Sequence, residues 1–592
     1  MKGYRFIILI SLSVLFAAVS CGKEDPDQGK TYTKEDTVSP TDPVMGELTD
    51  SEIAGTAIAA GTTAAGIVTD LNTKKGIPGV PVTDGYSWCK TDANGVYQLT
   101  AHKNARKIYI TTPSTYKIGL NSDGYPNFYC KKNIEEGKKY RIDFALEPLD
   151  APETEFKLIM IGDPQCPSTG DVSRYVSETI RKIKMDATGD VPAYAMTLGD
   201  IIFDSNPTWQ PMYQSMKKVK AGDWIIPFFQ TIGNHDHDAT LVKASMDRET
   251  MQYVSQTNFV KFFGPQDYSF DRGNVHIVSM DDVWVYGTDT SSKSNGQTCK
   301  YYSGFTNDQY NWLAQDVANV ENPQDKVFII CCHVPFRGGG SSNGSNLNKD
   351  KHYSDVLALM KQFKEAHIMI GHTHYSQNYI HTGTVTKGGQ PVYEHIHGSA
   401  CGAWWSCNTS VTGAPNGYTM YDVKGSSIVN WQSMNSNFDN DFQLRVFDGN
   451  QEWGNGYKLQ WSNTANKVGS GSYSAPGFAA AAGAFVAEVW NDDASNWKVE
   501  FWQNGKKVGN FTRAAASGIC NIPLVAYWFN QKNKNSDTYV NKTASHIWYY
   551  KPASGIPSAE TNWEVRAVHT VAASGQVNTY TADHLTTDYS TY

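Results

Sequence analysis

The chain lacks a CxxC pair, an excess of basic residues, and any repeat of solenoid period. Without CxxC, a zinc-knuckle reading has no support. With 51 Lys and Arg against 59 Asp and Glu, the formal net charge is −8, which argues against broad nucleic-acid binding. A small anionic ligand is not excluded by that balance. Hydrophobic residues make up 40% and mean hydropathy is −0.45, so the chain is not a membrane bundle. What it has in quantity is length and aromatics. Its 592 residues exceed one ordinary core and point to about three domains. Its 33 Tyr and 16 Trp suit aromatic-rich β modules.

The N-terminus "MKGYRFIILISLSVLFAAVSC" has a basic start at Lys2 and Arg5, a short apolar run, then small residues up to Cys21. That is a secretory signal with a core too short for a convincing membrane span. A cysteine straight after "AAVS" resembles a bacterial lipoprotein signal, with residues 1–20 removed and Cys21 lipidated. "GKED" at 22–25 resembles the surface-export signal of Bacteroidetes lipoproteins. The expected location is the outer membrane, with the cell surface as a candidate. Nine cysteines remain beyond Cys21, an odd count that cannot pair completely within one chain. Cys331 and Cys332 sit in an apolar run and read as packing.

Residues 21–55 are rich in Asp, Thr and Pro and read as a flexible tether. Residues 56–150 alternate short β-like runs with turn signals such as "DG" and "ANG", which predicts a small all-β sandwich. This stretch resembles carboxypeptidase-regulatory-like modules, and a structural spacer is its expected role. Residues 151–409 change to an α/β alternation. Apolar runs such as "FKLIMIGD" and "AYAMTLGD" read as buried strands. Amphipathic helices are expected at 171–187, 208–220, 250–263, 307–320 and 352–364. From 410 to 592 the pattern returns to β, with a hairpin around Asn504-Gly505.

In the α/β stretch every polar cluster follows the end of an apolar strand, where open α/β sheets place ligands. The clusters are Asp163 and Gln165 in "GDPQ", Asp200 in "LGDIIFD", and Asn234 and His235 in "GNHD". His333 in "CCHVPF" and His372 and His374 in "GHTH" complete the set. Singly, each is weak, since Gly-Asp also makes ordinary turns. Together they converge as a ligand set does.

In this order the motifs resemble the calcineurin-like metallophosphoesterases over residues 155–400. The flanks resemble the N- and C-terminal modules found around this domain in Bacteroidetes proteins. The resemblance implies an α/β, two-layer αβ-sandwich core flanked by two small all-β sandwich domains. It implies two divalent metal ions at the strand ends. One would be held by Asp163, Gln165, Asp200 and His374, the other by Asp200, Asn234, His333 and His372. Asp200 would bridge them. Two cations about 3.5–4 Å apart need a bridging anion, and a carboxylate supplies one. An O/N shell without thiolate suits Mn, Fe, Zn or Mg. The implied reaction is attack of a metal-bridging hydroxide on the phosphorus of a small phosphorylated substrate. His235 is the implied catalytic residue, protonating the leaving oxygen.

Two positions depart from the family pattern. An Asp three residues after the bridging Asp orients the catalytic His in many relatives. Here that position is Phe203, leaving Asp204 or Asp236 to substitute. Gln165 offers a neutral amide oxygen where histidine would offer nitrogen, which is expected to make the first metal site the weaker. Arg337 is a candidate clamp on a phosphate oxygen or a solvated loop arginine, and "GGGSSNGSN" after it is a candidate lid. Trp404 and Trp405 read as a wall beside the metals or as packing between domains. The alternatives in function are a diesterase or a nucleotide or sugar-nucleotide pyrophosphatase on the same centre. A different class is a glycan-binding surface lipoprotein with a relic catalytic domain, its aromatic β modules being candidates for glycan contact.

Overall fold

The structure is a computed structural model. It describes residues 39–587 apart from 205, 290–296, 338–351, 411, 450–451, 454–456, 459–464, 469–470, 475–482, 515–545 and 559–560. The expectations for the signal at 1–20, for Cys21 and for the lid loop lie outside the described residues.

Two sheets meet at the middle of the molecule. The first runs, in spatial order, Phe228–Thr231, Ala193–Leu198, Glu155–Ile161, Gly417–Lys424, Ser427–Asn435. Its first three strands are parallel, and Gly417–Lys424 pairs antiparallel with Glu155–Ile161. The second runs Tyr268–Arg272, Val275–Ser279, Val327–Cys331, Glu365–Ile370, Pro391–Ile396, Gln377–Val385, with a parallel centre and antiparallel ends.

The strand Glu155–Ile161 shows why its sequence is a nearly continuous apolar run. Phe156, Leu158 and Met160 point into the core shared with the second sheet. Ile159 and Ile161 point the other way, under helices Thr169–Tyr175, Trp209–Ser215 and Thr257–Phe263. A strand buried on both faces needs apolar residues at every position. Helix Asn307–Asn319 covers the second sheet with Trp312, Leu313 and Val317, and starts from a Thr306 and Gln309 capping box. The expected helix at 171–187 spans three consecutive segments, Thr169–Tyr175, Val176–Ile180 and Arg181–Asp186, the middle one with π geometry.

The N-terminal module packs a sheet ordered Val44–Glu47, Tyr140–Leu146, Ala64–Asp70, Val96–Leu99 against a smaller one. Strand Tyr140–Leu146 alternates buried and half-buried residues, as a strand with one face inward does. The expected tether of 21–55 is therefore too long. Val44–Glu47 pairs antiparallel with Tyr140–Leu146, so main-chain bonds hold that part of it in the module. The module is docked rather than strung out. Trp312 donates from Nε1 to Thr83 Oγ1 at 3.1 Å, and Trp88 donates to the Trp312 carbonyl at 3.1 Å.

The expected break at 410 also needs correction. The last two strands of the first sheet, Gly417–Lys424 and Ser427–Asn435, lie beyond it and hydrogen-bond into the catalytic layer. The C-terminal module then forms two four-stranded sheets around a core containing Val446, Phe485, Phe501, Trp548 and Trp563. Its hairpin turns at Asn504 and Gly505, both with positive φ (50° and 72°), as a tight Asn-Gly turn requires. No helix among the described residues is long and apolar enough to cross a membrane.

Candidate metal centre

Four glycines let the strand ends converge. A Cβ on Gly199 would lie 2.4 Å from His333 Nδ1, one on Gly233 2.4 Å from Asp200 Oδ1, and one on Gly371 2.8 Å from Asp163 Oδ2. Gly162 faces the Gly398 carbonyl at 3.1 Å in the same sense. Gly199, Gly233 and Gly371 thus make room for a polar side chain from another strand end, and Gly162 for the backbone at Gly398. The residues that follow carry strain. Asp163, Gln165, Asp200, His372 and His374 all have φ between 42° and 68°, a region L-residues enter at a cost. Such strain gathers where the surrounding structure over-determines a site.

The side chains meet as two groups sharing Asp200. One holds Asp200, His333 and His372, the other Asp163, Asp200 and His374, each with ligand atoms within 4.8 Å of one another. His333 is fully buried. Its Nδ1 donates to the Leu198 carbonyl at 2.8 Å, which turns Nε2 inward. Nε2 lies 3.0 Å from Asn234 Oδ1, 3.1 Å from His372 Nδ1 and 3.2 Å from Asp200 Oδ2. His374 Nε2 stands 3.5 Å from Asp163 Oδ1. Gln165 donates from Nε2 to Asp200 Oδ2 at 2.9 Å, and its backbone N–H donates to the Asp200 carbonyl at 2.8 Å. All seven expected ligand residues come together.

The set fits divalent cations on three counts. Gln165 Oε1 is buried with no hydrogen-bond partner, an acceptor without a donor. Burial pushes the Asp163 carboxyl well above its usual range, with neighbouring Asp200 adding to the rise. Asp200 is buried too, yet the facing His333 and His235 outweigh that burial and hold it below the carboxylate range. Two buried carboxylates with imidazole, amide and carbonyl-type donors call for positive charge between them.

Three family models match the chain in succession. They are the N terminal of calcineurin-like phosphoesterase over residues 62–149, calcineurin-like phosphoesterase over 156–376, and the C terminal of calcineurin-like phosphoesterase over 394–573. The chain belongs to the calcineurin-like phosphoesterase family. It is a hydrolase acting on phosphoric esters. No curated protein matches it.

In this phosphoesterase His235 has a carboxylate partner despite Phe203. Asp204 Oδ2 lies 2.8 Å from His235 Nδ1, while the Phe203 ring packs on the imidazole at 4.4 Å. Asp204 has φ of 49°, so a left-handed kink brings the carboxylate back one residue later. Burial lowers the His235 imidazole, and Asp200 and Asp204 together overcome it and raise it. Asp236 does not compete. Its carboxylate accepts from the Ile202 and Gly233 backbone N–H groups at 3.0 and 2.9 Å and pins the turn.

The remaining expected residues divide. Arg337 places its guanidinium over the Tyr379 ring, 4.3 Å from the centroid. Trp405 packs inside, donating to the Pro164 carbonyl at 2.9 Å. Trp404 faces the centre, its ring 5.0 Å from His374. Two supports went unread in the sequence. Asp282 is buried and accepts from the His333 and Val334 backbone N–H groups at 3.0–3.1 Å and from the Tyr353 hydroxyl at 3.0 Å. Cys401 Sγ lies 3.9 Å from His374 Nδ1. The "DD" closing "VHIVSMDD" was the available signal for Asp282. Nothing local marks Cys401. The described cysteines are free.

Proposed function

We propose that this phosphoesterase hydrolyses a small phosphorylated substrate with two divalent cations, held in the two side-chain groups that share Asp200. The single observation that carries this is the shared carboxylate between two sets of buried donors. Asp163, Gln165, Asp200 and His374 would hold one cation, and Asp200, Asn234, His333 and His372 the other. Bound divalent cations supply Lewis acidity for a phosphoryl oxygen and acidify water. Asp200 spans both groups, and its anionic form is the one suited to bridging. The Leu198 carbonyl holds His333 in the tautomer that offers Nε2, while Asp282 anchors the His333 backbone.

His235 would protonate the leaving oxygen. Asp204 fixes its Nδ1, which leaves Nε2 to face substrate. His235→Ala is expected to lower turnover by about 10²- to 10⁴-fold while metal content stays constant. Metal analysis alongside hydrolysis assays checks both halves. Mn-loaded protein inactive on p-nitrophenyl phosphate, its bis-ester and ADP-ribose-like pyrophosphates would sink the reading. Activity confined to the bis-ester or the pyrophosphates would select those bonds. A relic domain that only binds glycan is disfavoured, because every ligand position still carries a donor. Anchoring through lipidated Cys21 at the outer membrane belongs to the same reading. It is supported by the sequence around "AAVSC" and tested by membrane release in a Cys21→Ser variant.

A further inference from the structure

Three aromatic side chains each touch a different histidine of the centre. Phe203 packs on His235 at 4.4 Å between ring centroids, Trp404 on His374 at 5.0 Å, and Tyr301 meets His372 edge-on at 6.4 Å. They come from separate parts of the chain. Phe203 lies in the turn after Asp200. Tyr301 lies on the hairpin strand Thr298–Ser303, and Trp404 in the loop after Pro391–Ile396.

Trp404 is the telling member. It is 38% exposed, among the few large apolar side chains left open to solvent. Its φ is 47° and that of Trp405 is 59°, two consecutive bulky residues in the left-handed region. A bulky side chain there is a genuine outlier and costs free energy. The kink is enforced by Trp405, which donates to the Pro164 carbonyl in the "GDPQ" loop and packs edge-on against Tyr175. Arg174 also bonds the Trp405 carbonyl. The fold therefore anchors Trp405 on the metal loop and turns the preceding Trp404 outward beside His374. The indole is strained, partly exposed and seated against a ligand histidine. That placement suits a binding surface.

We infer that Phe203, Tyr301 and Trp404 form the walls that seat the organic half of the substrate, and that this half presents a flat ring face. The inference rests on the phosphoesterase reading and adds the substrate class to it. A nucleoside base stacks through its π-face, and a sugar ring packs its apolar C–H face on the same aromatic surface, so either ring can cover Trp404. A short acyclic group would leave the Trp404 face uncovered.

The test uses the full chain with Mn and compares phenyl phosphate, AMP and glucose 1-phosphate with glycerol phosphate. Wild type is expected to favour the ring-bearing esters in kcat/KM. Trp404→Ala is expected to cut that preference about tenfold, mainly through KM, with Trp404→Phe retaining most of it. AMP and glucose 1-phosphate separate base from sugar as the seated ring. Calorimetric binding of phenylphosphonate against methylphosphonate gives a readout independent of turnover, and should lose its difference in Trp404→Ala. Equal loss on ring-bearing and acyclic ligands, or no loss at all in either variant, overturns the inference. If no ester is hydrolysed, the phosphoesterase reading falls, and the phosphonate comparison still decides whether the rings select a ring.

Discussion

Gln165 carries a neutral amide where an imidazole would ligate through nitrogen. Its Oε1 is buried and unpartnered, and its Nε2 donates to Asp200. The unpartnered oxygen is the atom that an amide offers a cation. An amide oxygen is the weaker donor, so Gln165→His is expected to tighten binding at one of two sites in a metal titration. Unchanged affinity at both sites would make this a six-ligand centre. Asp204 belongs to the same scale. Asp204→Ala leaves His235 without its orienting partner. The expected result is a fall in kcat of about tenfold or more with metal content unchanged, read by single-substrate kinetics and metal analysis.

Strand ends, rather than whole strands, do the positioning at the scale of elements. Gly199 separates Ala193–Leu198 from Asp200 and lies directly against His333. Its φ of 84° and the 2.4 Å approach leave no space for a methyl group. Gly199→Ala is expected to displace His333 and lose metal, while destabilising the fold by only about 1–3 kcal/mol. Metal content and thermal melting distinguish these effects. The motifs, their order and most helices were legible because buried strands need apolar runs and tight exits need glycine. The partner of His235 was not. Asp236 is adjacent to His235 and Asp204 is 31 residues away, yet the left-handed turn at Asp204 brings its carboxylate to the ring. Asp282 was hidden for a similar reason, since its carboxylate acts on the backbone of His333, just past a strand end and 51 residues away.

At the scale of the molecule, the C-terminal module docks on the catalytic layer through a histidine cluster. His367 Nδ1 lies 3.0 Å from His395 Nε2, His397 bonds the Tyr421 hydroxyl at 2.9 Å, and His569 stacks on Trp497 and meets Trp431. Burial pushes His397 and His569 down to about 4 and His395 well below its usual value. Unfolded histidine titrates near 6.5. The unfolded chain therefore binds more protons between these limits. The stabilisation from neutral histidines is complete above about pH 6.5 and is lost as pH falls toward 4. His569→Phe removes one such group. The stability difference from wild type is expected to change by up to about 1.4 kcal/mol per pH unit across that window and to be flat above pH 7. Denaturant melts at several pH values measure it, and a difference with no pH dependence contradicts the assignment.

The sequence by itself determined the three-part organisation, the α/β core and the identity of the donors, because each rests on local rules. Apolar runs are buried on both faces, glycine precedes four of the five polar clusters, and Asn-Gly turns a hairpin. Tertiary structure alone decided which carboxylate holds His235, and that Trp404 faces the centre while Trp405 is sealed inside. It also decided that strands beyond 410 complete the catalytic sheet and that the strand at Val44–Glu47 belongs to the first module. These are pairings between segments far apart in the chain. Their outcome depends on sheet register and on left-handed turns fixed by surrounding contacts, and no local pattern encodes either.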